Sequence, residues 1–214
     1  MNLTTPNEIH TPMLKFDKPR EVAKEICSLH KTTMSAVALK QLAAIIEPMK
    51  ILHGKTVVAE GTVCDYIYYL KYGLMVQTYQ KNGATLTENI YQEGDFALCI
   101  ESYFTRRPSH MQILTIEPSI LYGLHYDKLF ELAFSSTEIC RLVFAMQQSL
   151  LCISQQRADA MRFESAKERY VRLLTEKPEI VRRAPMHNIA SYLQMTPETL
   201  SRMRALVHAD ENTI

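Results

Sequence analysis

The chain has 214 residues, of which 47% are hydrophobic and 22% are charged, and its formal net charge is +1. This size and apolar content are enough for one large domain or two smaller ones. They exclude an intrinsically disordered tail and a strongly basic, histone-like protein. Glycine is scarce: the chain has six, and all of them lie between positions 54 and 123. That segregation predicts a turn-rich central region with helical regions on either side.

Several classes of enzyme and metal site are excluded by the motifs that the sequence lacks. The five cysteines form no C-x-x-C pair and the seven histidines have no zincin spacing, so we expect free thiols and no metal site. A dinucleotide-binding motif, a P-loop and a nucleophile elbow are all missing, so we expect no enzymatic activity. The sequence has no run of about 18 apolar residues and no secretory signal, which favours a cytoplasmic protein without membrane contacts.

Two helices and six strands are predicted in the first 122 residues. Apolar residues recur at helical spacing over 20–29 and again over 37–46, and Pro48 is expected to end the second helix. Short runs rich in β-branched and aromatic residues then predict strands at 55–59, 66–70, 74–79, 85–91, 111–116 and 119–122. Asn82 and Gly83 predict a type I′ hairpin turn, because both residues accept a positive φ. The glycines between these strands are typical of a compact antiparallel β unit.

A short helix is predicted over 126–133, and a long helix from Glu138 to about Arg162. Ser135 and Glu138 have the spacing of a capping box at the start of the long helix. One apolar stripe with spacings of three and four residues follows this helix and consists of Ile139, Leu142, Val143, Met146, Leu150 and Ile153. The stripe can pack on the chain's own β unit or pair with the same helix of a second subunit. The length of the helix favours the pairing, so these six residues are the predicted dimer interface.

The C-terminal part of the chain predicts a small helical unit. A capping box at 165–168 predicts a helix over 166–176. A helix over 187–193 and a three-residue turn follow, and then a second helix is predicted with Thr196 as its N-cap and Pro197 at its first position. This is the layout of a helix-turn-helix, whose second helix enters the major groove of DNA.

Three C-terminal segments together carry a specific pattern: Ser165-Ala166-x-Glu168-Arg169-Tyr170, Ile189-Ala190-Ser191-Tyr192-Leu193 and Thr196-Pro197-Glu198-Thr199-Leu200-Ser201-Arg202. They resemble the DNA-binding domain of Crp/Fnr-type transcription regulators, in the version common in Bacteroidetes-like bacteria. Upstream, Gly54-x6-Gly61, 66–73 and Gly94-Asp95-Phe96 are similar to the β-roll sensor domain of that family. The resemblance implies an α+β protein with an antiparallel β-roll sensor region (1–134), a dimerisation helix (135–163) and a winged-helix-like helix-turn-helix region (164–214).

The resemblance also implies a homodimeric regulator that binds specific DNA sequences. Glu198 and Arg202 match the base-reading pair of the family: Arg202 would donate to guanine and Glu198 would accept from cytosine. Thr196, Thr199 and Ser201 would contact phosphates and set the register. The region 165–207 has eight basic and four acidic residues, which supports DNA binding. The implied partners are double-stranded DNA, a second copy of the chain, RNA polymerase and an unknown small-molecule effector.

Two features depart from the family pattern at the DNA-binding end. The cAMP receptor protein has arginine at the position of Pro197, so one base contact is expected to be lost and the half-site to differ. The chain ends at Ile214, which predicts a reduced wing after the second helix. An alternative function is therefore a sensor or protein-interaction module that has lost specific DNA binding.

The cyclic-nucleotide cassette of the family is not matched. Aligned without gaps from Gly94, its Gly-Glu and Arg-Ser pairs fall on Leu98-Cys99 and Ser109-His110, so weak or no cAMP binding is expected. A different small anion is the alternative, with the candidate residues Glu101, Ser102, Arg106, Arg107, Ser109 and His110. The sequence favours a solvated turn at 106–109 over such a site. No cofactor is expected, although the histidines leave haem open as an alternative.

Overall fold

The computed structural model describes residues 15–211, and side-chain surroundings through residue 207. In chain order, this part of the chain forms α1 (Pro19–Leu29), α2 (Ala36–Ile45), β1 (Ile46–Ile51), β2 (Thr56–Val58), β3 (Tyr66–Tyr72), β4 (Met75–Lys81), β5 (Ala84–Tyr91), β6 (Phe96–Ala97), α3 (Ile100–Thr105), β7 (Met111–Thr115), β8 (Ser119–His125), α4 (Tyr126–Ser135), α5 (Thr137–Phe163), α6 (Ala166–Glu176), α7 (Pro178–Arg183), α8 (Met186–Tyr192) and α9 (Pro197–Glu211). No helix in the described range is both long and apolar enough to cross a bilayer.

The β unit consists of two four-stranded antiparallel sheets, with strand orders β1-β8-β3-β6 and β2-β7-β4-β5. Their inner faces enclose an apolar core that includes Leu70, Ile113 and Leu121, all fully buried. The predicted antiparallel β-roll is therefore confirmed. The hairpin between β4 and β5 turns at Asn82 and Gly83, whose φ values are 52° and 78°, as the type I′ signal predicts.

The first strand differs from the prediction. Helix α2 ends at Ile45, and β1 continues directly through Pro48, which the sequence predicts only as the end of a helix. β1 lies at the edge of its sheet and pairs with β8 alone. A proline has no amide to donate, so an edge strand is where it is tolerated. The sequence patterns also do not predict the short elements β6, α3 and α7.

The start of the long helix also differs from the prediction. Ser136, and not Ser135, is the N-cap of α5, and its hydroxyl accepts from the Ile139 amide. The predicted capping box is therefore wrong at this position. The Glu138 carboxylate instead accepts from the hydroxyl of Ser35 at 2.7 Å and from the Ser35 amide at 3.2 Å. This contact joins the N-termini of α2 and α5.

The C-terminal helices pack together and against the β unit. The capping box at Ser165 and Glu168 is present, and α6 has its predicted bounds. The helices α6 to α9 share one buried apolar cluster with Val76 of β4, Ile90 of β5 and Leu74, which directly precedes β4. The outer face of the second sheet is therefore covered by the C-terminal helical unit.

Candidate nucleic-acid interface and effector cavity

The predicted helix-turn-helix is formed by α8 and α9. Ala190 is almost completely buried and small, which lets the two helices approach closely, and Leu200 fills the space beneath them. The turn between them holds Gln194 in the left-handed region with φ 53°, and the Met195 amide donates to the Ala190 carbonyl at 2.9 Å. The local packing therefore fixes the start of α9 relative to α8.

The first turn of α9 has the predicted cap. The Thr196 hydroxyl accepts from the Thr199 amide at 3.2 Å, and Pro197 occupies the first helical position, where no amide partner is needed. The backbone amide of Glu198 itself and the Thr196 hydroxyl hold the pKa of the Glu198 carboxyl below its ordinary range, with Arg202 adding to the effect. Glu198 is therefore an ionised acceptor at neutral pH.

The five predicted DNA contacts lie on the first two turns of α9. Thr196, Glu198, Ser201 and Arg202 are exposed, and Thr199 is half-buried. The Arg202 guanidinium donates to the Thr199 hydroxyl at 3.3 Å, which holds it along the helix. The geometry brings the predicted base-reading and phosphate-contacting side chains to one accessible surface. Their role in DNA binding stays a prediction.

The first helix of the pair rests on the β unit through polar contacts that the sequence did not reveal. The Thr87 amide in β5 donates to the Ser191 hydroxyl at 2.8 Å, and the Asn188 amide group donates to the Thr87 hydroxyl at 3.2 Å. Beside them, Arg157 of α5 pairs with Glu88 at 3.1 Å and lies over the Tyr192 ring at 5.3 Å. The sequence holds only a weak signal for these contacts, because Asn188 and Ser191 are polar residues on a short helix.

Ion pairs also hold the C-terminal helices on the β unit, and they neutralise part of the basic charge of residues 165–207. Arg183 is only 15% exposed and bridges Glu93, at 2.8 Å, and Glu117. Lys177 pairs with Asp95 at 2.7 Å. Both cations counted toward a basic DNA-binding surface, but they face carboxylates of the β unit. The excess of basic residues in 165–207 therefore contributes less to a DNA-facing charge than the count implies.

A cavity of about 840 Å³ lies where the β unit, α5 and the C-terminal helices meet. In its wall the Tyr91 hydroxyl donates to the Gln77 side-chain oxygen at 2.7 Å, and both side chains are buried. Leu98 and Cys99, at the positions of the family's Gly-Glu pair, are also buried in this wall. The cavity wall thus presents an apolar side chain and a thiol at these two positions.

Five of the six candidate effector residues line this cavity: Glu101, Ser102, Arg107, Ser109 and His110. Arg106 does not. It pairs with Asp65, donates to the Cys64 carbonyl at 3.1 Å and lies over the Tyr126 ring at 4.3 Å. Its guanidinium therefore holds a loop in place, and the prediction of Arg106 as an anion ligand is corrected.

The first four residues of the apolar stripe of α5 are buried, whereas its last residue, Ile153, is 51% exposed. Ile139, Leu142 and Val143 are buried in the chain's own core, and Met146, Leu150 and Ile153 line the cavity. A side chain that is already buried has no surface to offer a second copy, so the predicted interface is corrected for the four buried residues, Ile139, Leu142, Val143 and Met146. The opposite face of the helix exposes Phe144 and Leu151, at 60% and 71%.

The histidines that suggested haem are dispersed. His30 packs on the Phe96 ring with a centroid distance of 5.1 Å and shares a hydrogen bond with Ser149, and burial lowers its pKa. His53 and His110 are exposed, and His10 lies outside the described residues. Within the described part of the chain, no three His, Cys, Asp or Glu side chains are grouped so that they could hold a metal ion.

No family model and no curated protein matches the chain. Solved structures do match. FixK2 from Bradyrhizobium japonicum has a TM-score of 0.64 and 17% identity, covering 78% of this chain and 86% of that one. The c-di-GMP-responsive regulator CLP of Xanthomonas campestris has a TM-score of 0.60 and 17% identity, covering 83% and 93%. A Eubacterium rectale protein described as a Crp/Fnr-family transcriptional regulator has a TM-score of 0.62 and 12% identity, covering 83% and 85%.

These neighbours define the fold. The chain combines a cyclic-nucleotide-binding-like β-roll with C-terminal helices, in the arrangement that Crp/Fnr-like regulators have. The predicted fold class is confirmed. Two of these neighbours, CLP and the Eubacterium rectale protein, are described as regulators. That the chain has no enzymatic activity stays a prediction.

Proposed function

We propose that the protein is a homodimeric, sequence-specific DNA-binding transcription regulator of the Crp/Fnr type that does not respond to cAMP. The observation that carries the proposal is the surface of α9, where Glu198 and Arg202 are exposed four residues apart on a capped helix. An arginine of this kind donates two hydrogen bonds to guanine, and an ionised glutamate accepts from cytosine. The Crp/Fnr-like fold supports the same assignment.

The proposed roles are assigned to three consecutive segments of the chain. We assign residues 1–134 to sensing, 135–163 to dimerisation and 164–214 to DNA binding, with Thr196, Thr199 and Ser201 as phosphate contacts. Two copies would place two α9 helices about one helical turn of DNA apart, so the target is a pseudo-palindrome. A cytoplasmic location, contact with RNA polymerase and origin in the Bacteroidetes-like branch belong to the same proposal.

Selection from random duplex DNA, followed by gel-shift titration, tests the function. We expect a pseudo-palindromic site and a steep loss of affinity as salt rises, because phosphate contacts release counterions. Arg202→Ala should weaken binding to the selected site and relax the preference at one position of each half-site. Arg182→Ala is the matched control, since Arg182 is exposed on α7 and pairs locally with Glu179. Failure to recover any preferred sequence would favour the alternative function, a sensor module without specific DNA binding.

The proposal that cAMP is not the effector rests on the cavity wall. Leu98 and Cys99 supply no carboxylate for the ribose, and Ser109 and His110 supply no guanidinium for the cyclic phosphate. Isothermal titration with cAMP is expected to give no measurable heat at micromolar concentrations. Tight binding of cAMP would overturn this part of the proposal while leaving DNA recognition intact.

A further inference from the structure

One part of the cavity lining is apolar and adaptable. Met146, Leu150 and Ile153 line it from α5, and Leu98 and Met111 line it from the β unit. Methionine side chains are unbranched and polarizable, so they accommodate flexible apolar chains. A cavity of about 840 Å³ is within the range of specific small-molecule sites. This part of the lining therefore suits a hydrocarbon body better than a polar ring.

Most charged groups around the cavity already have partners. Arg157 pairs with Glu88 at 3.1 Å, Arg172 with Glu164 at 3.0 Å and Lys177 with Asp95 at 2.7 Å. A ligand with several charges would have to break these pairs. A ligand with one charge can leave all of these pairs in place if one cation has a hydrogen-bond donor without a partner.

Arg169 is such a cation. Its Nε donates to the Leu193 carbonyl at 3.0 Å and its Nη1 donates to the Glu164 carbonyl at 2.8 Å. Among the described residues no carboxylate pairs with it, and its Nη2 donates no hydrogen bond. Arg107 also has no carboxylate partner in the described range, but it is exposed to solvent on the loop before β7. Arg169 is therefore the better-placed anchor for one anionic group at the C-terminal end of the cavity.

We propose that the cavity binds an aliphatic monocarboxylate, with its hydrocarbon chain along Met146, Leu150 and Ile153 and its carboxylate on Arg169. This site lies between α5 and the C-terminal helices. Arg169 holds the carbonyl of Leu193, which directly precedes the turn into α9. A carboxylate bound to Arg169 acts on the turn of the helix-turn-helix. Only this coupling to DNA binding rests on the proposed function; ligand binding itself does not.

Fluorescence titration of the full chain with cis-parinaric acid tests the site, with palmitate, hexadecanol and cAMP as competitors. We expect saturable binding that palmitate displaces. Hexadecanol, which lacks the charge, should compete at least about tenfold more weakly, and cAMP should not compete. Absence of saturable binding overturns the proposal. Equal competition by hexadecanol overturns the assignment of a carboxylate head group.

Variants locate the two ends of the ligand. Ile153→Glu, at a side chain that is 51% exposed, should abolish binding because it puts a negative charge beside the hydrocarbon chain. Cys152→Glu is the matched control, since Cys152 is exposed and does not line the cavity. Arg169→Met should raise the dissociation constant about tenfold or more, and Arg169→Lys should retain most of the affinity. Loss of binding in Arg107→Met with full affinity in Arg169→Met would overturn the placement of the carboxylate.

A gel shift with the selected DNA, with and without palmitate, reads out the coupling. We expect palmitate to change the affinity for DNA at least about fivefold in the wild type and not in Ile153→Glu. Palmitate binding without an effect on DNA affinity would overturn the coupling alone. If the protein binds no DNA but still binds parinarate, the proposed function fails and the ligand site stands.

Discussion

The backbone amide of Thr87 in β5 donates to the hydroxyl of Ser191 in α8 at 2.8 Å, so the second sheet of the β unit directly holds the first helix of the helix-turn-helix. Thr87 is buried, and its own hydroxyl accepts from Asn188. Four polar groups on three residues, from two parts of the chain, therefore satisfy one another in pairs at the interface. Loss of any one leaves another without a partner, which costs more than the hydrogen bond itself contributes.

The first prediction concerns this contact. Ser191→Ala should lower the free energy of unfolding by about 1–3 kcal/mol, because the buried Thr87 amide loses its acceptor. Urea denaturation measures the change, and hydrogen exchange should show faster exchange of the α8 amides. Ser201→Ala, on the exposed face of α9, is the control and should change stability by less than about 0.5 kcal/mol. Equal stability of the two variants would contradict the prediction.

The second prediction concerns Arg183, which joins α7 to the β unit. Arg183→Met should destabilise the protein by about 2 kcal/mol, since Glu93 and Glu117 would then face each other without their shared cation. A double-mutant cycle with Glu93→Gln isolates the interaction between Arg183 and Glu93. Arg182→Met is the control, because its partner Glu179 lies on the same helix and is exposed. A coupling energy of zero would show that the bridge between Arg183 and Glu93 contributes nothing to stability, contrary to the prediction.

The third prediction is a pH dependence from the same network. Burial raises the pKa of Glu93, but hydrogen bonds from Arg183 and from the Gly73 amide outweigh it and hold the pKa below the ordinary 4.5. A carboxyl with a depressed folded pKa contributes stability above its unfolded pKa, and that contribution is lost as the pH falls through the folded value. The free energy of unfolding should therefore decrease below about pH 4.5.

Glu93→Gln tests the assignment of this acid sensitivity. The variant should be less stable than wild type at neutral pH, and the difference should shrink as the pH falls below about 4.5. Denaturation curves recorded at several pH values measure this convergence. Glu131→Gln, at an exposed position of α4, should stay parallel to wild type. A constant difference between Glu93→Gln and wild type across the range would contradict the assignment.

The fourth prediction distinguishes the two faces of α5. Leu151→Glu should convert the proposed dimer to a monomer, because Phe144 and Leu151 form the exposed apolar face available to a second copy. Ile153→Glu should leave the dimer intact, since Ile153 lies on the cavity side of α5, opposite Phe144 and Leu151. Sedimentation velocity measures both. A monomer with Ile153→Glu and a dimer with Leu151→Glu would restore the interface that the sequence stripe predicts.

This contrast shows what sequence periodicity can establish. The spacing of Ile139, Leu142 and Val143 predicts that one face of α5 is buried. It does not indicate whether the chain's own core or a second copy covers that face. By comparison, the Ser165 capping box and the Asn82-Gly83 turn involve residues that are close in sequence, and both are predicted correctly. The contact between Glu138 and Ser35 spans 103 positions, and only the folded chain brings the two residues together.

The candidate sites show the same difference between patterns that are local in sequence and contacts between distant residues. The exposed residues of α9 could be named from the sequence because the helix cap and the turn are local patterns, and because residues 196–202 resemble a known DNA-binding motif. The cavity could not, because it is bounded by strands, α5 and α6, which are distant in sequence. Arg106 and Arg107 are neighbours with the same chemistry, and only their surroundings separate a loop anchor from a cavity residue.

The last prediction concerns base recognition by α9. Arg202→Ala should weaken binding to the selected site by about 1–3 kcal/mol and relax the preference at one position of each half-site, because a bidentate contact to guanine is lost. Glu198→Gln should alter the preferred base at a different position and change non-specific affinity little, since it keeps the side-chain length and removes the charge that accepts from cytosine. Repeating the selection with each variant measures both effects. A uniform loss of affinity across all sequences in Arg202→Ala would identify Arg202 as a phosphate contact instead, since such contacts carry no sequence information.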